Sequence, residues 1–353
     1  MSKNRVQWID TMKFYCIIFV MISHVGNNND ISPTFLSTFY NCFFLTGFLF
    51  ASGYTYSNKH SFFQHLKHKT VQLLLPWALY SYLIILFNNL VTRHPENHNL
   101  WKELLDNTLQ IRKIGDEMWF VLALFVAYIP FYFVVKIYEK NRDRKNVGGI
   151  SIIASILMLF LYYAYKWYVP AFSWGNNNMP WHIEYIPYAV SFMLLGFVFK
   201  DKLESVFDSV ATLSSMFVVF PTFMLIIYSP YLFNYTISSW IADTVFSIVK
   251  HSMGLWLLIT VCKHQRSNCY ISFVGKNTLN YFGLHRYTNN IICNYITPIL
   301  FPLDIVRGVP ALAAVYAISV GVIESVLLIL PCHIINRNIP VLAGKGFSKR
   351  GKR

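Results

Sequence analysis

Long apolar runs recur from one end of the chain to the other, broken by short polar stretches. Ten of them, near 11–29, 37–57, 71–91, 118–138, 148–168, 181–199, 210–229, 241–262, 278–300 and 310–333, approach the ~20 residues an α-helix needs to cross hydrocarbon. The pattern predicts an all-α, polytopic integral membrane protein of about ten transmembrane helices. The first, second, fourth and tenth runs are the clearest; Glu184 weakens the sixth, and His285 with Arg286 the ninth. No fixed-period repeat is present, and the basic C-terminal tail is the one biased tract. Connections are short, so 1–353 reads as a single membrane-embedded domain with a tail from about 336. The longest connection, 92–117, predicts a short surface helix around Trp101–Leu109. The first run does not read as a removable signal peptide, because it carries Asp10, Lys13 and His24 and no small-residue cleavage site follows.

Composition strengthens this class. Of 353 residues, 55% are hydrophobic and 13% charged, about half the charge of a typical soluble domain. Lysine and arginine fall mainly in alternate connections: Lys3 and Arg5 before the first run, Lys59, Lys67 and Lys69 after the second, Lys140 to Lys145 after the fourth, Lys200 and Lys202 after the sixth, Lys263 and Arg266 after the eighth, and the tail. This asymmetry predicts that both termini are cytoplasmic. It also accounts for the net charge of +14 without nucleic acid. The cations are spread over the inner connections, where membrane lipid is the expected partner.

The six cysteines, mostly inside apolar runs, read as small packing residues. No CxxC, HExxH, nucleotide-loop or nucleophile-elbow pattern occurs, so neither a metal nor a bound cofactor is expected. The chemistry must come from ionisable residues within the apolar runs. Lys13 and His24 are eleven positions apart, about three turns, so they share one helix face ~16 Å apart, with Asp10 close to that face. Alone, His24 reads as an interior histidine bonded to a neighbouring helix. In register with Asp10 and Lys13, it reads as functional. His285 and Arg286 stand in GKNTLNYFGLHR, where an interhelical hydrogen bond is the plain alternative. Glu184, after PWHI, reads most simply as a water-exposed carboxylate at the membrane interface. Lys250 and His251 either line the interior or snorkel along the bundle.

Several segments together resemble acyltransferase family 3, the integral membrane family that includes cell-surface glycan O-acetyltransferases, and most closely its fucose 4-O-acetylase branch. WIDTMKFYCIIFVMISH is similar to the family's first helix. FFLTGFLFASGY is similar to its second, with Thr46 where serine is commoner. HLKHKTVQLLLPW resembles the basic start of the third, MWFVLALF the fourth, PWHIEYIPYAVSFMLLGFVF the sixth, and FVGKNTLNYFGLH the segment ending in histidine. One departure is Gln72, where the family often has arginine; Lys67 and Lys69 lie nearby.

The resemblance implies transfer of an acyl group, acetyl above all, from cytoplasmic acyl-CoA to a hydroxyl on a glycan or lipid-linked sugar at the cell membrane. His24 and His285 would be catalytic, with His24 as general base or covalent acyl carrier. Lys13, Asp10, Lys69, Glu184 and Arg286 would serve donor or acceptor binding. At ~20 Å from His24, Asp10 is too distant to orient it and would instead pair with Lys13 or a cation on another helix. Ten spans with interior ionisable groups would also suit a secondary transporter, but no pairing of the two halves is apparent. Nothing in the sequence sets an oligomeric state.

Overall fold

The computed structural model describes residues 6–29, 34–91, 99–111, 118–169, 179–237, 239–300 and 303–346. Its helices run in the order α1 (Gln7–Asn29), α2 (Thr34–Tyr40), α3 (Phe44–Tyr54), α4 (Phe62–Lys69), α5 (Leu75–Val91), α6 (Leu100–Leu109), α7 (Trp119–Lys140), α8 (Val147–Tyr168), α9 (Ile186–Val198), α10 (Val210–Leu232), α11 (Trp240–His264), α12 (Cys269–Lys276), α13 (Thr278–Ile291), α14 (Thr297–Leu300), α15 (Leu303–Gly308), α16 (Pro310–Leu327) and α17 (Ile329–Asn338). Among the described residues nine helical segments are long and apolar enough to cross a membrane. The protein is an all-α polytopic membrane protein.

The expected ninth span is helical but is not among those nine. Asn280, His285, Arg286 and Asn289 lower its hydropathy, and a π-helical stretch, Ile292–Ile296, separates α13 from α14. The third span begins earlier than its apolar run. Gln64 Oε1 accepts from Ser61 N at 3.3 Å, fixing the start of α4, and the basic HLKHK segment is helical up to a π-turn at Thr70–Leu74. The surface helix expected at Trp101–Leu109 is α6, capped by Asn99, whose side chain accepts from Lys102 N at 3.2 Å.

The described chain forms two compact units. In residues 53–198 and 335–353, α7 and α9 are buried along most of their length. By contrast, α8 buries Val147, Ser151, Ser155 and Leu159 and exposes Ile150, Ile153, Leu157 and Leu161. In water such a face would be costly; in lipid it is satisfied. Gly53 is required here, since a Cβ at that position would lie 1.8 Å from Met193 O.

In residues 1–52 and 199–334, α1 is the central element and packs on α11, α12, α13 and α16. Its buried residues include two series at steps of four, Met12 and Cys16, and Ile17, Met21 and Val25, which with Ile9, Ile18 and Ile22 cover more than one face. That is the pattern of a helix surrounded by others rather than one lying at a surface. At its edge α10 keeps only Thr212, Phe223 and Ile227 buried, and turns Val210, Leu213, Phe217 and Phe220 outward.

Candidate active site

The residues that share a face of α1 meet different surroundings. Asp10 is buried at the end of α1 where α12 crosses: a Cβ on Gly275 would lie 2.0 Å from Asp10 O. Lys13 lies one turn further on and is half-buried. His24, near the other end, stands ring against ring with His285 of α13, centroids 4.7 Å apart and planes at 83°. Two histidines 261 positions apart, both singled out by the sequence, thus meet in one place.

The backbone sets the protonation of both rings. His24 Nδ1 lies 2.8 Å from Val20 O, and His285 Nδ1 lies 2.9 Å from Phe282 O. A carbonyl oxygen can only accept, so each Nδ1 carries the hydrogen and each Nε2 is the basic nitrogen. His285 is buried, and its Nε2 has no hydrogen-bond partner among the described residues. Arg286, the next residue, is exposed: one helical step of ~100° turns it out of the histidine cluster.

Two residues missed by the sequence reading continue this site. Asn289 lies one turn beyond His285 and is fully buried. Its Nδ2 donates to Glu324 Oε2 of α16 at 3.0 Å, with a longer contact of 3.5 Å to Met21 O of α1. Glu324 is also fully buried, and its Oε1 has no hydrogen-bond partner among the described residues. Helix α16 can approach α1 because residue 321, one turn before Glu324, is glycine: a Cβ there would lie 2.6 Å from Ile22 Cγ1. The seam continues through Thr297, which shares a 2.7 Å hydrogen bond with Tyr316, and through Tyr281, whose hydroxyl donates to Ser325 O at 2.9 Å. Glu324 carried a signal of its own, being the sole carboxylate after Asp304 and lying within an apolar run.

Lys69 and Glu184 belong to the other unit. Lys69 Nζ sits 3.7 Å above the centre of the Tyr128 ring, a cation–π contact. Glu184 does not meet the expectation of a water-exposed carboxylate, being only 8% exposed. Its Oε2 accepts from Met179 N at 2.9 Å, and its Oε1 lies 3.7 Å from Nδ1 of the buried His182. Trp181 and His182 hold left-handed backbone conformations with φ of 58° and 54°. This is a strained way to start α9, and it turns His182 and Glu184 inward while Trp181 and Ile183 stay exposed.

The family model described as an acyltransferase domain matches residues 6–328. The chain belongs to acyltransferase family 3. No curated protein and no solved structure matches it. The acyltransferase match begins at the start of α1 and ends just after α16. It therefore includes His24, His285, Asn289 and Glu324, and leaves α17 and the basic tail outside.

Proposed function

We propose that this membrane acyltransferase moves an acetyl group from acetyl-CoA, supplied by the cytoplasm, to a hydroxyl of a cell-envelope or lipid-linked sugar. The observation that carries the reading is the His24–His285 pair, with both basic nitrogens set by backbone carbonyls, inside an acyltransferase domain. Such a pair suits attack by a weak nucleophile. A sugar hydroxyl forms the new C–O bond at the thioester carbonyl only as its proton leaves, and an imidazole nitrogen is matched to that task near neutral pH. His24 Nε2 takes the proton. The C–S bond then breaks, and the proton passes to the departing thiolate, giving coenzyme A and the sugar ester.

The remaining residues take supporting parts. His285 stands against the His24 ring and fixes its plane. Asn289 and Glu324, fully buried and hydrogen-bonded to each other, tie α13, which carries His285, to α16. Lys13, on the same helix, is the cation that draws the donor toward His24, and Asp10 beside it positions that lysine. Lys69, Glu184 and Arg286 are assigned to donor or acceptor binding through the family resemblance, with Lys69 and Lys67 standing in for the arginine replaced by Gln72.

The test is acetyl transfer per molecule of monodisperse, detergent-purified protein. His24→Ala should fold and lose roughly 10²–10⁴-fold in turnover, the usual cost of a missing general base. Near wild-type specific activity would overturn the role of His24. A labile acyl-protein adduct trapped in wild type and absent from the variant would replace the base by a covalent carrier.

A further inference from the structure

A cavity of about 780 Å³ opens between the start of α1 and the loop joining α11 to α12, lined by Gln7, Trp8 and residues 262–267. Both walls come from stretches that the lysine and arginine asymmetry assigns to the cytoplasm. One wall is tied down by ions. Lys263 Nζ lies 2.6 Å from Asp208 Oδ1 and 3.6 Å from Glu204 Oε1, and Glu204 Oε1 also accepts from Trp8 Nε1 at 3.3 Å. Lys263 is thereby neutralised and fixes the indole instead of serving a ligand. The loop is held as well: Tyr15 donates to Gln265 Oε1 at 2.5 Å, and His264 Nδ1 donates to Thr260 O at 2.9 Å.

Arg266 differs from Lys263. It lines the same cavity, is exposed, and has neither an ion pair nor a hydrogen bond among the described residues. A guanidinium on a braced loop, facing a cavity with an indole wall, suits a phosphate attached to a flat ring system. The volume falls within the ~300–1,000 Å³ typical of small-molecule sites.

We propose that this cavity holds the phosphorylated nucleotide end of coenzyme A, with Arg266 on a phosphate and Trp8 forming the wall beside the base. The proposal rests on the acyl-CoA donor reading. Along α1 the rise from Trp8 to His24 is about 24 Å, and sixteen steps of ~100° carry the two side chains to opposite sides of the helix, so the phosphopantetheine arm has to pass around α1 to reach the histidine. A lipid phosphate offers Arg266 the same chemistry, so the experiment has to separate the two sources.

Calorimetric titration of the full-length purified protein with coenzyme A does so when combined with native mass spectrometry of retained phosphatidylglycerol. Arg266→Glu and the cavity-filling Ser267→Trp should each weaken coenzyme A by about tenfold or more in protein that remains monodisperse. Arg337→Glu, a charge reversal outside the cavity, should not. Unchanged coenzyme A affinity in both cavity variants would overturn the site and leave the donor reading standing. Failure of wild type to bind coenzyme A would overturn the donor reading, and the site with it. Lost phosphatidylglycerol retention with intact coenzyme A binding would give the cavity to lipid.

Discussion

Glu324 has no exposed surface, and among the described residues only its Oε2 has a donor, the Asn289 amide. Removing the carboxylate takes from that buried amide its shorter hydrogen bond and leaves it the longer contact to Met21 O, which costs about 1–3 kcal/mol. Glu324→Leu should therefore lower the thermal unfolding temperature. Glu324→Gln, which retains an oxygen for Asn289, should unfold closer to wild type but transfer more slowly per folded molecule. Equal activity of Glu324→Gln and wild type would reduce the residue to a packing role. His24 and His285 were legible in the sequence because each is an ionisable residue in an apolar run within a recognisable motif. Their contact was not, since nothing local encodes a neighbour 261 positions away. Glu324 was legible by the same reasoning and was passed over; its partner Asn289 was not, because a single asparagine in a helix gives no sign of whether it faces a carboxylate or lipid.

Among the helices of the α1 unit, α12 comes close against the α1 backbone at Gly275. A methyl group there meets backbone, which cannot swing aside as a side chain can. Gly275→Ala should push α12 off Asp10 and destabilise the protein by about 1–3 kcal/mol or more, read as a lower unfolding temperature. Gly149→Ala, with nothing within 4 Å of the new methyl, should be neutral or slightly stabilising, as glycine is a poor helix residue. If the two variants unfold alike, α12 does not pack closely on α1 at Gly275. Helix existence was largely readable from hydrophobic runs, including the short α6. Helix ends were not: the apolar run of the third span begins at 71, whereas the start at Ser61 and the half-buried Lys69 put the basic HLKHK segment on the helix as well.

For the molecule as a whole, the number of crossings decides where the C-terminus lies. Nine crossings would put the two ends on opposite sides. The lysine and arginine asymmetry puts both in the cytoplasm, and so requires the polar ninth segment, 278–300, to cross as well. A reporter fused after Arg353 should behave as cytoplasmic, and an external one would remove that crossing. The matching external reporter site near Asn176 lies outside the described residues, as do the tail residues 347–353.

The central position of α1 also has a consequence for the order in which the protein is made. Met21 meets Asn289 268 positions later, and α12, α13 and α16 all follow α11 in the chain. At roughly 5–20 residues per second, the first helix emerges from the ribosome tens of seconds before the helices that will enclose it. During that interval Asp10, Lys13 and His24 enter a bilayer with none of their eventual neighbours. The ionisable residues that set this helix apart therefore make it harder to insert than a purely apolar one. Nascent chains halted before α12 should accordingly be held by the insertion machinery or degraded, whereas chains that have completed α16 should be released.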